Sequence, residues 1–157
     1  MIKVLFVCLG NICRSPMAEA IFQDMVNKAG LAEQIQVDSA GIGSWHVGEA
    51  AHAGTLDILK KNKINYNGRA RQIERVDLDD FTYVLAMDKE VLQYILRSGT
   101  GAKANIALFL IYAKQAGLVN IDQVPDPYYD GTFDRAYSLI QRGCSALLHH
   151  IRHTDKV

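Results

Sequence analysis

Ile2-Lys3-Val4-Leu5-Phe6-Val7-Cys8-Leu9-Gly10-Asn11-Ile12-Cys13-Arg14-Ser15-Pro16 passes from an apolar, β-prone run through a short loop to a helix start. Residues 2–7 read as a strand. Ser15 followed by Pro16 reads as an N-cap with proline at the first helical position, where its missing N–H costs nothing. A strand handed to a helix N-terminus through so few residues is the opening unit of an α/β fold. Its loop amides curl around one centre, unpaired helix N–H groups join them, and the result is a concave site for a tetrahedral oxyanion. The residues that would cradle a phosphate there are Leu9, Gly10, Asn11, Ile12, Cys13, Arg14 and Ser15. Gly10 and Asn11 suit such a loop because both tolerate positive φ.

Cys8 and Arg14 stand at a Cys-x5-Arg spacing. A thiol aimed into converging N–H dipoles, with Arg14 beside it and the Ser15 hydroxyl able to donate to it, favours the thiolate and is a nucleophile at neutral pH. The planar fork of Arg14 takes two equatorial oxygens of a phosphoryl group and grips a trigonal-bipyramidal transition state better than the ground state, which lysine cannot do. Cys-x5-Arg alone also describes a buried cysteine beside a surface arginine. Its coincidence with the strand, Gly10-Asn11 and Ser15-Pro16 gives it chemical meaning. A Walker nucleotide loop and a dinucleotide glycine fingerprint are both missing from the chain.

Further strand-like segments fall at residues 35–39, 83–87 and 105–109. Helical spacing links Met17, Ile21 and Met25; Leu56, Leu59 and Lys60; and Val91, Ile95 and Leu96. Phe133, Tyr137, Ile140, Cys144, Leu147, Leu148 and Ile151 trace one long stripe. The alternation implies an α/β fold: a single three-layer domain over residues 1–157, with a four-stranded parallel sheet, helices on both faces and the phosphate loop after the first strand. The ligand belongs beyond the C-terminal strand ends, where Cys8 falls. A composition of 49% hydrophobic and 22% charged residues suits such a domain. The 17 basic and 17 acidic residues give no net drive toward nucleic acid or a membrane surface, so attraction for phosphate must be local. The N-terminal apolar run is too brief for a signal peptide or a membrane span, and the expectation is a cytoplasmic protein.

Three cysteines form no paired framework, so structural disulfides are not expected. Cys13 shares the loop with Cys8, which leaves two readings: plain packing, or a redox role in a reversible Cys8–Cys13 disulfide that spares Cys8 from over-oxidation. Cys144 reads as packing. Cys8 and Cys13 lack the spacing of a metal-ligand pair, and His149, His150 and His153 suit the C-terminal end of a helix dipole, so no metal or other cofactor is expected. His46 and His52 lie near Trp45 and can tune a rim.

Residues 8–19, Cys8-Leu9-Gly10-Asn11-Ile12-Cys13-Arg14-Ser15-Pro16-Met17-Ala18-Glu19, resemble the signature of the low-molecular-weight protein tyrosine phosphatases. Three more stretches agree: Asp38-Ser39-Ala40-Gly41 leading to Trp45-His46-Val47-Gly48, Arg69-Ala70-Arg71-Gln72-Ile73, and Val124-Pro125-Asp126-Pro127-Tyr128-Tyr129. The resemblance implies hydrolysis of phosphotyrosine and other aryl phosphates through a cysteinyl-phosphate. Cys8 is then the nucleophile, Arg14 the transition-state stabiliser and Asp126 the proton donor, held out by two flanking prolines. Leu9, Trp45 and Tyr128 would wall the substrate rim with Tyr129 further out, and Asn11, Ser15 and Ser39 would support the loop. The implied partners are a tyrosine-phosphorylated protein or peptide and inorganic phosphate as product, with the enzyme a monomer or weak homodimer.

Related arginine phosphatases carry threonine where this chain has Ile12, which favours phosphotyrosine over phosphoarginine. Where mammalian-type members of the tyrosine phosphatase family place a supporting histidine before the Arg-Gln-Ile stretch, this chain has Gly68, so its loop support must differ. Two alternatives share the fold: a protein arginine phosphatase, and a thiol-dependent arsenate reductase. The latter needs further cysteines, and none lies between Asp77 and Gly101. A phosphopeptide-binding module would have no use for Asp126 on a stiff loop.

Overall fold

In the computed structural model, which describes residues 1–157, β1 (Ile2–Cys8) lies between β2 (Ile35–Gly41) and β3 (Tyr83–Ala86), and β4 (Asn105–Leu108) forms the far edge. Every pairing is parallel. Val4, Leu5, Phe6 and Val7 are fully buried, as a central strand covered on both faces must be, and this accounts for the unbroken apolar run.

Alternate residues of β1 serve different layers. Val4, Phe6 and Cys8 face a core built with α1 (Arg14–Lys28) and α7 (Phe133–Asp155). There the Phe6 ring meets Phe22 and Phe109 edge-on, at 5.7 and 5.3 Å between centroids. Leu5 and Val7 face the other layer, where Leu78 of α3 (Asp77–Asp80) joins Val91 and Ile95 of α4 (Lys89–Ser98). Helices α2 (Ala53–Lys61), α5 (Ile111–Gln115) and α6 (Pro127–Asp130) complete the chain. The four-stranded parallel sheet and its two helical layers are those expected.

Local boundaries differ. Helix α1 begins at Arg14, with Cys13 at the cap position and no side-chain cap bond, so Ser15 and Pro16 are its second and third residues. The reason is that the Ser15 hydroxyl turns inward to Cys8 and is not free to cap. Pro16 still falls within the first turn, where N–H groups lack intrahelical acceptors. Strand β2 runs on to Gly41, in register with Cys8. Met87 and Phe109 lie just past β3 and β4, although their N–H groups still donate to Val7 and Ala86 at 3.0 and 2.8 Å. Lys60 and Leu96 face solvent; Thr55, Ile58 and Leu59 form the buried side of α2, and Val91 and Ile95 that of α4.

Candidate active site

Gly41 stands opposite Cys8 and has no side chain for a physical reason: a Cβ there would lie 2.9 Å from Asn11 N and Gly10 C, and 3.0 Å from Leu9 O. The loop after β1 therefore rests on a bare α-carbon. Within that loop the left-handed turn falls on Asn11, at φ 59°, and not on Gly10, whose missing side chain instead leaves room for the His46 ring. The segment Arg69-Ala70-Arg71-Gln72-Ile73 runs along the end of β2, with Gly41 N–H donating to Arg71 O at 2.9 Å. Arg71 is anchored by Asp77 at 3.0 Å and Asp38 at 3.1 Å.

Cys8 Sγ accepts from the Asn11 N–H at 3.3 Å and lies 2.9 Å from Ser15 Oγ. Asn11 Nδ2 donates to Ser15 Oγ at 2.8 Å and to Ser39 Oγ at 3.0 Å, while its Oδ1 accepts from Arg71 N at 2.9 Å. Asn11, Ser15 and Ser39 thus meet in one buried network behind the sulfur. That network continues to residues the sequence did not single out. Ser39 donates to Glu19 Oε1 at 2.5 Å, and the Tyr66 hydroxyl donates to the same oxygen at 2.8 Å. The space beside Gly68 belongs to Tyr66, whose hydroxyl and ring a Cβ at position 68 would overlap.

Arg14 is only 3% exposed. Its Nη1 donates to Asp88 at 2.6 Å and to the Val124 carbonyl at 2.9 Å, its Nη2 to Asp126 Oδ2 at 3.4 Å, and its buried Nε meets no protein acceptor. Burial works against the guanidinium charge, but the Cys8 sulfur and the carboxylates of Asp88 and Asp126 outweigh it and hold the group above its ordinary value. Asp126 has the extended backbone expected before Pro127 and caps α6, its Oδ1 accepting from Tyr128 N at 3.0 Å. The Cys13 thiol is pushed up to about 12, chiefly by burial and then by Asp126 and Cys8. Its carbonyl accepts from Thr55 Oγ1 at 3.0 Å, tying the loop to α2.

These groups open onto one cavity of about 240 Å³. Cys8, Cys13 and Arg14 lie with Leu9, Gly10 and Ile12 on its wall, Asp126 borders it, and Trp45, His46, Tyr128 and Tyr129 form its rim. Asn11 and Ser15 are not on that wall, because their side chains serve the network behind it. Tyr129 is the outermost rim residue, 78% exposed against 49% for Tyr128, and their rings meet edge-on at 5.3 Å. His52 stacks on Phe133 at 5.1 Å and faces Tyr128 at 5.8 Å, and its Nδ1 accepts from Gly54 N. His149 and His153 stack far along α7, and no group of three or more His, Cys, Asp or Glu side chains is placed to hold a metal ion. Asp88 is the site residue most open to sequence reasoning, since an Asp just past a strand and ahead of a helix reads as an N-cap beside the ligand-binding edge of the sheet.

Residues 3–157 match the family model described as low molecular weight phosphotyrosine protein phosphatase. The chain is 51% identical over 155 residues to the low molecular weight protein-tyrosine-phosphatase YfkJ of Bacillus subtilis, covering 97% of both chains. The crystal structure of YfkJ superposes with a TM-score of 0.92 at 46% identity, covering 98% of this chain and 96% of that one. A low molecular weight phosphotyrosine protein phosphatase of Schizosaccharomyces pombe is 48% identical over 133 residues, 83% of each chain. The structure of a Drosophila arginine phosphatase is similar as well, with a TM-score of 0.89 at 35% identity over 96% of this chain and 98% of that one. With a sulfur, an arginine and a carboxylate gathered at one anion-shaped loop and near full-length similarity on both sequence and structure, the chain belongs to the low-molecular-weight phosphotyrosine protein phosphatases.

Proposed function

We propose that residues 1–157 act as one catalytic domain that hydrolyses phosphotyrosine on proteins in two steps. In the first, Cys8 Sγ attacks phosphorus, the bond from phosphorus to the phenolic oxygen breaks, and Asp126 gives its proton to the departing phenolate. In the second, Asp126 takes a proton from water as that water attacks the cysteinyl-phosphate. The S–P bond then breaks, and inorganic phosphate leaves. Arg14 stabilises both transition states, with the Nε that meets no protein acceptor available to an equatorial oxygen. The observation that carries this reading is the convergence of Cys8, Arg14 and Asp126 on one cavity with an aromatic rim.

The rim supports an aryl substrate, because Trp45 and Tyr128 offer flat apolar faces above an anion pocket. A second reading, hydrolysis of phosphoarginine, draws on the likeness to the Drosophila arginine phosphatase. Ile12 weighs against it, since its purely hydrocarbon side chain gives a guanidinium no hydrogen bond. Arsenate reduction lacks support: the cysteines are Cys8, Cys13 and Cys144, the last fully buried on the core-facing side of α7. No helix is long and apolar enough to cross a membrane. A nucleophile that must stay a free thiol fits a reducing cytoplasm.

The deciding assay offers phosphotyrosine, phosphoserine and phosphoarginine peptides to wild type and Cys8→Ser, metal-free and with reductant. Turnover of phosphotyrosine alone, lost in Cys8→Ser, is expected. Preference for phosphoarginine would replace the first reading with the second, and no turnover by folded protein would overturn both.

A further inference from the structure

We propose that Tyr66 is a positioning residue of the phosphate loop, its phenol acting through Glu19, Ser39 and Asn11 to keep the Ser15 hydroxyl donating to Cys8. The inference rests on the reading of Cys8 as nucleophile and concerns how its sulfur is held ready.

The argument follows the protons. Asn11 Nδ2 carries two hydrogens, and both are committed, one to Ser15 Oγ and one to Ser39 Oγ. Both serine oxygens therefore accept from Asn11, and each hydroxyl proton must go elsewhere. That of Ser39 goes to Glu19. That of Ser15 has two acceptors in reach, Cys8 Sγ at 2.9 Å and the Ala40 carbonyl at 3.4 Å, and the sulfur is the nearer. Asn11, its Oδ1 held by Arg71 N, keeps this double-donor pose with Ser39 as one of its two acceptors, and the Ser39 oxygen is turned to accept while its own proton goes to a Glu19 carboxylate that accepts and never donates.

Glu19 is costly to keep in that form, because burial pushes it upward and Asp38 adds to the rise. Ser39 and Tyr66 oppose this by donating to it, and Arg71 opposes it through its charge. Of the two donors, only Tyr66 lies outside the chain that leads to the sulfur. Its phenol is itself raised by burial and by Glu19, so it remains a donor wherever the enzyme works. Without it, a protonated Glu19 would donate to Ser39 and leave the Ser39 hydroxyl proton facing the Asn11 N–H, donor against donor, which loosens Asn11 and with it the contact that directs the Ser15 hydroxyl to the sulfur.

Gly68 supplies the room. It does not need positive φ, so conformational freedom does not explain the glycine, whereas any side chain there would overlap the Tyr66 hydroxyl and ring. Residues 66 and 68 therefore work as a pair, a phenol and the space it fills.

The test reads the sulfur directly, by iodoacetate alkylation of Cys8 across pH followed by mass spectrometry, alongside kcat and KM for a phosphotyrosine peptide. Tyr66→Phe removes the phenolic proton, and Gly68→Ala keeps it but displaces it. In both, the alkylation midpoint should move upward by roughly one pH unit and kcat should fall about tenfold with little change in KM, the effect of one hydrogen bond to a charged group. The double variant should be no worse than the more impaired single one. Tyr83→Phe, which removes another phenol bonded to a carboxylate, Asp155 at 2.8 Å, should leave the profile unchanged. A wild-type alkylation profile in folded Tyr66→Phe, or in folded Gly68→Ala, would overturn the inference. Failure of the phosphatase reading would show separately, as wild-type protein that alkylates at Cys8 yet turns over no peptide.

Discussion

Asp126 serves two masters with one carboxylate: Oδ1 accepts from Tyr128 N and Oδ2 faces Arg14. The first contact fixes the side chain at the mouth of α6, and the second holds it over the loop. Asp126→Ala should therefore lower kcat on phenyl phosphates by roughly 100- to 10,000-fold, the usual worth of a positioned general acid. Steady-state rates on aryl phosphates whose leaving phenols differ in acidity check this, with the deficit shrinking as the leaving group needs less help. Substrates of high leaving-group basicity losing no more than acidic ones would remove Asp126 from the proton transfer. That Cys8, Arg14 and Asp126 would meet at one cavity was legible in the sequence, the first two from the loop chemistry and Asp126 from its proline-flanked loop and the family resemblance. Glu19 and Tyr66 were not, because their parts are defined by a contact across 47 residues, and of Asp88 only the N-cap could be read, its ion pair with Arg14 spanning 74 residues. Ser15 was legible as polar and useful, but a sequence cannot say that its hydroxyl turns toward a sulfur and away from the helix end.

At the scale of the element, Asp88 couples a helix to the site. Its Oδ1 caps α4 by accepting from Val91 N at 2.9 Å, and its Oδ2 takes the Arg14 guanidinium. The two functions are separable. Asp88→Asn keeps a capping oxygen, so thermal unfolding should stay near wild type while kcat falls through a loosened Arg14. Asp88→Ala loses the cap as well, about 1 kcal/mol, and should unfold roughly 2–4 °C lower. Equal melting of the alanine variant and wild type would show that the cap carries no weight. The longer elements were readable for the same physical reason that makes them stable. Strand β1 is buried on both faces and α7 buries Ile140, Cys144, Leu147 and Ile151 along one stripe, so each leaves a long apolar pattern. Helices α3, α5 and α6 hold four or five residues each, about a turn, which is too short for any period to register.

Across the whole molecule, burial falls heavily on groups that ionise at high pH. The Cys13 thiol is raised to about 12 and Cys144 is raised too, both chiefly by burial, and Tyr66, Tyr83, Tyr112 and Tyr137 are likewise held above their ordinary phenol values. In the unfolded chain these thiols and phenols would release protons near 9.0 and 10.0, while the folded chain retains them. The folded state then binds more protons, so stability falls as pH rises, from the ordinary thiol range upward. Urea midpoints should be lower at pH 10.5 than at pH 8. A flat profile there would mean that these side chains are wetter than their burial indicates. Gly41 has a consequence of a different kind. The loop backbone lies directly on its bare α-carbon, whereas Trp45 and Tyr129 stand 67% and 78% exposed. Mutation at the loop's seat is met by backbone that cannot yield, while mutation at the rim meets mostly water. A lineage built on this frame can exchange one client for another by changing its rim while its chemistry stands still, so relatives that share the loop need not share a substrate.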